Sequence, residues 1–130
     1  MTAPQLPDRA QRRPRRFEMV QVTRERPIEA QLAPSATTLT TLYTVPPGWR
    51  AKGSVLVCER GGAAATFRIA HRPDGDSIDN KHYMAYDRAL PANSEDETIE
   101  LWLDETDVIS VYASSGDLSF AFNGVEVPKL

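Results

Sequence analysis

The sequence contains few of the residues with which proteins usually bind metals or form covalent crosslinks. Among 130 residues it has a single cysteine, Cys58, and two histidines, His71 and His82. One cysteine cannot form a disulfide within the chain, and the spacing of the three residues does not match a structural zinc site. The chain is therefore compatible with a reducing compartment. We expect no metal ion and no other cofactor.

Long apolar runs and nucleotide-binding motifs are also missing. No stretch of about 18 apolar residues occurs, so we expect no transmembrane helix and no membrane partner. The charged sequence of residues 17–31 argues against a secretion signal. The sequence contains neither G-x-x-x-x-G-K-[ST] nor G-x-G-x-x-G, and no serine lies in G-x-S-x-G. These absences favour a protein that is not an enzyme and has no catalytic residue.

Two acidic segments are the remaining candidates for chemistry. Residues 74–79 carry three aspartates between the two histidines, but the position of Gly75 does not fit a calcium loop, so we interpret Asp74-Gly75 as a turn. Residues 95–97 are three consecutive carboxylates before a strand. Such a run is typical of a solvated rim rather than of a buried acid–base pair.

Charge is distributed unevenly along the chain. Residues 1–30 contain seven arginines and four carboxylates, whereas residues 31–130 contain eight basic and fourteen acidic side chains. We predict two parts, an extended basic N-terminal arm of residues 1–30 and a β-sandwich domain of residues 31–130. A basic arm favours an acidic partner surface through an attraction that salt weakens. The candidate partner-binding residues of the arm are Arg12, Arg13, Arg15, Arg16, Phe17 and Met19.

Alternating apolar and polar residues dominate the sequence after the arm. Eight such runs, among them TTLTTLYTV, ATFRIAH and LSFAFN, end at Gly, Pro, Asn or Asp. This pattern predicts an all-β fold, an antiparallel β-sandwich or jelly roll. It also places Cys58 in a buried strand. In the run from 98 to 104, it places Ile99 on the same face as Leu101 and Leu103.

Several aromatic residues fall outside this predicted core. The alternation puts Trp102 and Tyr112 on the strand faces opposite their Ile and Leu neighbours. Exposed aromatic side chains commonly mark protein interfaces, and they can also stack against sugars. We therefore keep both interpretations, an interface or a glycan-binding face. The candidate residues are Trp49, Tyr86, Trp102 and Tyr112.

The residues from Thr37 to Val127 follow a recurring pattern. A Thr-rich strand ends in Y-T-V-P-P-G and is followed by V-L-V-C, A-T-F-R-I-A and H-Y, then by L-W-L-D-E-T-D-V-I-S-V-Y-A-S. This pattern resembles small structural proteins of tailed bacteriophages, which are virion, tail, neck or fibre-associated proteins. The resemblance implies a jelly-roll fold and does not extend to residues 1–30.

The resemblance implies a phage virion structural protein that self-associates as a trimer or higher ring. Such a protein docks onto other virion proteins at the tail, neck or fibre base, or as head decoration, and we expect the N-terminal arm to make that contact. Its location is then the virion, assembled in the bacterial host cytoplasm. The alternative is a glycan- or receptor-binding β-sandwich module of a phage adhesion device. We expect no nucleic acid partner, because the acidic body repels phosphates.

Overall fold

The structure, a computed structural model, describes residues 24–130. The six candidate residues of the arm, Arg12, Arg13, Arg15, Arg16, Phe17 and Met19, lie outside this range. Within it, the helical segments are two short 3-10 turns, Pro73–Gly75 and Asn80–His82. No helix in residues 24–130 is long and apolar enough to cross a membrane.

The described residues form nine β-strands in two antiparallel sheets. Their bounds are β1 Arg26–Leu32, β2 Thr40–Thr44, β3 Trp49–Glu59, β4 Ala65–Arg72, β5 Tyr83–Leu90, β6 Glu95–Glu97, β7 Leu101–Leu103, β8 Val108–Ala113 and β9 Leu118–Pro128. Sheet A has the strand order β1-β9-β3-β6, and β7 also pairs with β3. Sheet B has the order β2-β8-β4-β5.

This strand order is that of a jelly roll. β6 and β7 are short and both pair with β3, so together they hold one of the eight strand positions of that fold. The chain passes from one sheet to the other at each connection except β4–β5 and β6–β7. The prediction of an antiparallel β-sandwich or jelly roll is confirmed.

The core lies between the two sheets and consists of the inward side chains of the alternating strands. In β3, Val55 and Val57 point inward and are almost fully buried. Phe67 of sheet B meets Phe120 of sheet A edge to face, with ring centroids 6.4 Å apart. Each such side chain stabilises the fold by about 1.5–3 kcal/mol relative to an exposed position.

The first strand changes the predicted division of the chain. β1 pairs with β9 from Arg26 opposite Glu126 to Leu32 opposite Phe120, and Ile28 is buried in the core. The predicted boundary between residues 30 and 31 therefore falls inside a strand, and residues 26–30 belong to the sandwich. Pro27 sits in an edge strand of sheet A, a position in which proline is tolerated.

Two expectations about inward side chains are wrong. The run predicted as one strand at residues 98–104 is interrupted, because Thr98 binds Val55 through both its backbone and its side chain and the chain then leaves the sheet. Ile99 is consequently 82% exposed. Cys58 is half-buried rather than buried, because Val55 and Val57 occupy the inner face of β3 and Cys58 points to the outer one.

Candidate functional site

Three tyrosines and an arginine lie together on the outer face of sheet B. We call Arg68, Tyr83, Tyr86 and Tyr112 the tyrosine face. In the β4–β8 ladder Arg68 lies directly opposite Tyr112, and in the β4–β5 ladder Tyr83 lies opposite Ala70. The β4–β5 register shifts between Phe67 and Ala70, and bulges of this kind change the direction of side chains. The shifts bring Tyr86 beside Arg68.

Arg68 holds the tyrosine face together. Its guanidinium lies 4.1 Å from the ring centroid of Tyr86 and 4.3 Å from that of Tyr112. The rings of Tyr83 and Tyr86 meet edge to face at 4.9 Å. Arg68 also donates two hydrogen bonds to Asp87, at 2.7 and 3.3 Å, and these hold the pKa of that carboxyl below its usual range. The side chains are therefore ordered before any partner binds.

The tyrosine face is exposed and suited to recognition. Tyr86 is 57% exposed, and Tyr83 and Tyr112 are half-buried. Tyrosine and arginine are enriched at the energetically dominant positions of protein interfaces. Side chains that are already fixed by stacking lose little conformational entropy when a partner covers them. The same flat rings can also stack on a sugar.

Trp102 lies on the opposite side of the molecule, on the outer face of sheet A. It is 73% exposed between the buried Leu101 and Leu103, and the Lys52 ammonium lies 5.5 Å from its ring centroid. It borders a groove of about 490 Å³ with apolar and charged walls. The groove residues include Glu25, Arg50, Lys52, Trp102, Asp104 and Val127.

Trp49 occupies a third place, at the start of β3, and is half-buried. The Arg26 guanidinium stacks 3.6 Å from its ring centroid and donates a 2.6 Å hydrogen bond to the buried Glu126. Glu126 also accepts a hydrogen bond from the Tyr43 hydroxyl, and burial is the main cause that raises the pKa of Tyr43. Trp49 therefore contributes to a network that holds β1, β2, β3 and β9 together.

The four candidate aromatic residues thus do not form one face. Tyr86 and Tyr112 lie together on sheet B, Trp102 lies alone on sheet A, and Trp49 packs at the end of the sandwich. Alternation gives the side of a strand on which a residue lies. It does not give the sheet to which that strand belongs, so the separation could not be predicted.

The histidines and the acidic loop have structural contacts. His71 Nε2 lies 2.8 Å from Asp107 Oδ2, and Asp107 also accepts the backbone N–H of Asp74 at 2.9 Å. His82 Nδ1 accepts the backbone N–H of Asp79 at 3.0 Å. In the part of the chain that the structure describes, no group of three or more His, Cys, Asp or Glu residues could hold a metal ion.

A cleft between the two sheets was not predicted from the sequence. It has a volume of about 420 Å³ and opens between β5 of sheet B and the β6–β7 edge of sheet A. The residues that line it include Val57, Phe67, Met84, Ile99 and Leu101. The alternating pattern of residues 98–103 fits a continuous strand, so it gave no sign that Ile99 stands at the mouth of a cleft.

The similarity of this chain to known proteins is low. No family model and no curated protein matches the chain. A solved structure of the CBM22-1 and GH10 modules of Clostridium thermocellum endo-1,4-β-D-xylanase 10B, complexed with xylohexaose, is 11% identical with a TM-score of 0.37. The match covers 79% of this chain and 28% of that one.

Two structures of a pentameric capsid protein from metagenomic phage sequences are also similar. Both are 14% identical and match 78% of this chain, with TM-scores of 0.33 and 0.32. The matches cover 60% and 62% of the two capsid chains. This chain therefore spans less than two thirds of the length of each of the three solved structures. At TM-scores this low, the three matches do not indicate a function.

Proposed function

We propose that this protein is a non-enzymatic structural subunit of a phage virion, which self-associates and docks onto other virion proteins. The observation that carries the proposal is the tyrosine face, an exposed and preorganised surface on one sheet of a jelly roll. The jelly roll is a common architecture of viral capsid proteins, but the same fold also serves lectins and cupins. The fold alone therefore does not distinguish these functions, and the function has to be inferred from the exposed side chains.

The tyrosine face fits a second copy of the same chain. It contains both signs of charge, because Arg68 pairs with Asp87 on sheet B. A surface with both signs of charge and flat aromatic rings can contact a different surface of a second copy, and such head-to-tail contacts close a ring. The sequence resemblance of Thr37–Val127 to phage structural proteins agrees with this. We propose a trimer or larger ring that attaches to the particle through the N-terminal arm.

The mass of the full chain in solution tests this proposal. Sedimentation equilibrium of wild type is expected to give a concentration-dependent mass above that of one chain. The double variant Tyr86→Ala, Tyr112→Ala removes the aromatic rings that would stack and become buried in the contact between subunits. It is therefore expected to shift the mass towards that of the monomer. Trp102→Ala removes an exposed aromatic ring from the opposite sheet and serves as the matched control. A strictly monomeric wild type would contradict the proposal.

The Trp102 groove supports a second candidate function, binding of a glycan. An exposed tryptophan beside charged side chains offers a stacking surface and hydrogen-bonding groups, and this combination suits a sugar ring. In this case the protein is a glycan- or receptor-binding module of a phage adhesion device.

A glycan array with the full chain separates the two candidates. Reproducible binding that Trp102→Ala abolishes and Tyr86→Ala preserves supports a glycan site in the groove. Binding lost only in Tyr86→Ala places the site on the tyrosine face. An array without any binding removes the second candidate.

A further inference from the structure

The cleft between β5 and the β6–β7 edge, which we call the edge cleft, has a floor of buried apolar side chains and an exposed apolar mouth. Val57, Phe67 and Leu101 lie at its floor, and Met84 and Ile99 stand exposed at its mouth. β5 and β6 are the outer strands of their sheets. Proteins usually cover or charge such edges, since exposed strand edges and apolar patches attract other chains.

Two carboxylates, Asp96 and Glu97, line the edge cleft. Asp96 makes a 2.9 Å salt bridge with Arg88 of β5, which spans the opening between the sheets. Glu97 is exposed and accepts a 2.6 Å hydrogen bond from the Ser54 hydroxyl. The mouth of the cleft therefore carries the negative charge of Glu97 close to exposed apolar side chains.

A segment of this same chain has the complementary chemistry. Residues 12–22, RRPRRFEMVQV, place four arginines immediately before a short alternating stretch with Phe17 and Met19 on one side. Arginines pair well with carboxylates, and an extended segment can add to a sheet edge while its alternate side chains fill pockets. We infer that the edge cleft of one subunit binds residues 12–22 of a second copy of the chain.

The distance within one subunit favours a second copy as the donor. β1 lies at the far edge of sheet A from β6, and Arg26 is level with Ala51, whereas the cleft extends from the level of Gly53, opposite Leu101, to that of Val57. With usual strand spacing and rise, Arg26 is about 16 Å from the near end of the cleft and about 24 Å from the far end. The four residues from Val22 to Arg26 span at most about 14 Å. Residues 17–22 therefore cannot all lie in the cleft of their own subunit.

This exchange rests on the self-association proposed above and adds a second contact to that of the tyrosine face. Each subunit donates one segment and receives one, so the contacts can close the proposed ring. Linkage of the segment to a folded domain raises its effective concentration, so a short contact can hold an assembly. The charge component predicts that association weakens as salt is added.

Photo-crosslinking of the full chain tests the inference. A photoreactive phenylalanine derivative replaces Phe17, and isotope-labelled and unlabelled chains are mixed by joint unfolding and refolding before irradiation. The expected crosslinks join position 17 to Met84 or Ile99, and they contain labelled and unlabelled peptides in the proportion that random mixing dictates. Crosslinks to these residues only within one chain would overturn the exchange.

Charge substitutions provide the matched controls. Ile99→Glu places a carboxylate at the mouth of the cleft and is expected to lower the crosslink yield by at least about tenfold, because an unpaired charge is strongly unfavourable in an apolar site. Ile78→Glu adds the same charge at a residue that is 40% exposed in the loop before β5. It is expected to leave the yield unchanged. Circular dichroism checks that both variants fold.

The outcomes separate this inference from the proposed function. If the chain self-associates but position 17 crosslinks elsewhere, the edge cleft is not the binding site while self-association stands. If Ile78→Glu lowers the yield as much as Ile99→Glu, the effect is one of net charge and the inference fails. If the chain is monomeric at every concentration, both the inference and the proposed function are overturned.

Discussion

Glu59 shows how a single charged residue can organise the end of a sandwich. It is almost completely buried at the end of β3. Its carboxylate accepts the backbone N–H groups of Gly61 at 2.7 Å, Gly62 at 2.9 Å and Asn93 at 2.8 Å. One side chain thus ties the β3–β4 loop to the β5–β6 loop. The sequence places Glu59 at the end of a strand, where a solvated position is the ordinary expectation, so this role could not be predicted.

The stability of the protein should therefore fall in acid partly through Glu59. Its hydrogen bonds, that from Asn93 first, hold its pKa below the ordinary value of 4.5. A carboxyl whose pKa is lowered by folding stabilises the fold above its unfolded pKa and loses this effect as pH falls through the folded one. We expect Glu59→Gln to lower the melting temperature at pH 7 and the difference from wild type to shrink below pH 4.5. Thermal denaturation across pH 2 to 7 measures this; a difference that is constant with pH would contradict it.

At the scale of elements, β1 sets where the chain can be shortened. Deletion of residues 1–23 leaves each described strand intact, whereas deletion of residues 1–30 removes most of β1 and uncovers its partner β9. We expect the first deletion to keep the melting temperature at low protein concentration and the second to lower it strongly. Ile28→Ala is expected to cost about 2–5 kcal/mol, because it leaves a cavity in the core. Chemical denaturation of the three variants tests the series. A stable chain without residues 1–30 would show that β1 is dispensable.

A glycine pair fixes the close approach of β3 and β9. Gly53 lies directly opposite Gly124, and a Cβ at either position would collide with the backbone of the other strand. Because backbone cannot move aside as a side chain can, we expect Gly53→Ala to destabilise the fold by about 1–3 kcal/mol or more. Gly116→Ala is the control, since a Cβ there meets nothing within 4 Å. Urea denaturation that ranks the two variants equally would contradict this.

The positions of the strands could be predicted better than the pairing between them. Alternation and turn residues are local signals, and they located strands such as β4 and β9. The β1–β9 ladder joins residues about a hundred positions apart in the chain, from Arg26 opposite Glu126, and no local signal reports such a pairing. The break at Thr98 depends on two hydrogen bonds to β3, so it too appears only when the strands are together.

For the whole molecule, the two outer faces of the sandwich differ in chemistry. Sheet B carries the tyrosine face, and sheet A carries the Trp102 groove. The sequence correctly indicated that Trp102 and Tyr112 lie away from their apolar neighbours. It could not show that they face opposite directions, because that depends on which strands share a sheet. A partner that covers one face therefore leaves the other free.

This separation predicts how thermal stability depends on protein concentration. Folded chains self-associate and unfolded chains do not, so association stabilises the folded state. The melting temperature therefore rises by roughly a few degrees for each tenfold increase in protein concentration for a domain of this size. We expect this dependence in wild type and in Trp102→Ala. We expect it to be weaker in the double variant Tyr86→Ala, Tyr112→Ala, whose melting temperature at low concentration should stay near that of wild type, since these rings lie outside the core. Scanning calorimetry over a hundredfold range measures it, and a dependence lost in Trp102→Ala instead would move the self-association surface to sheet A.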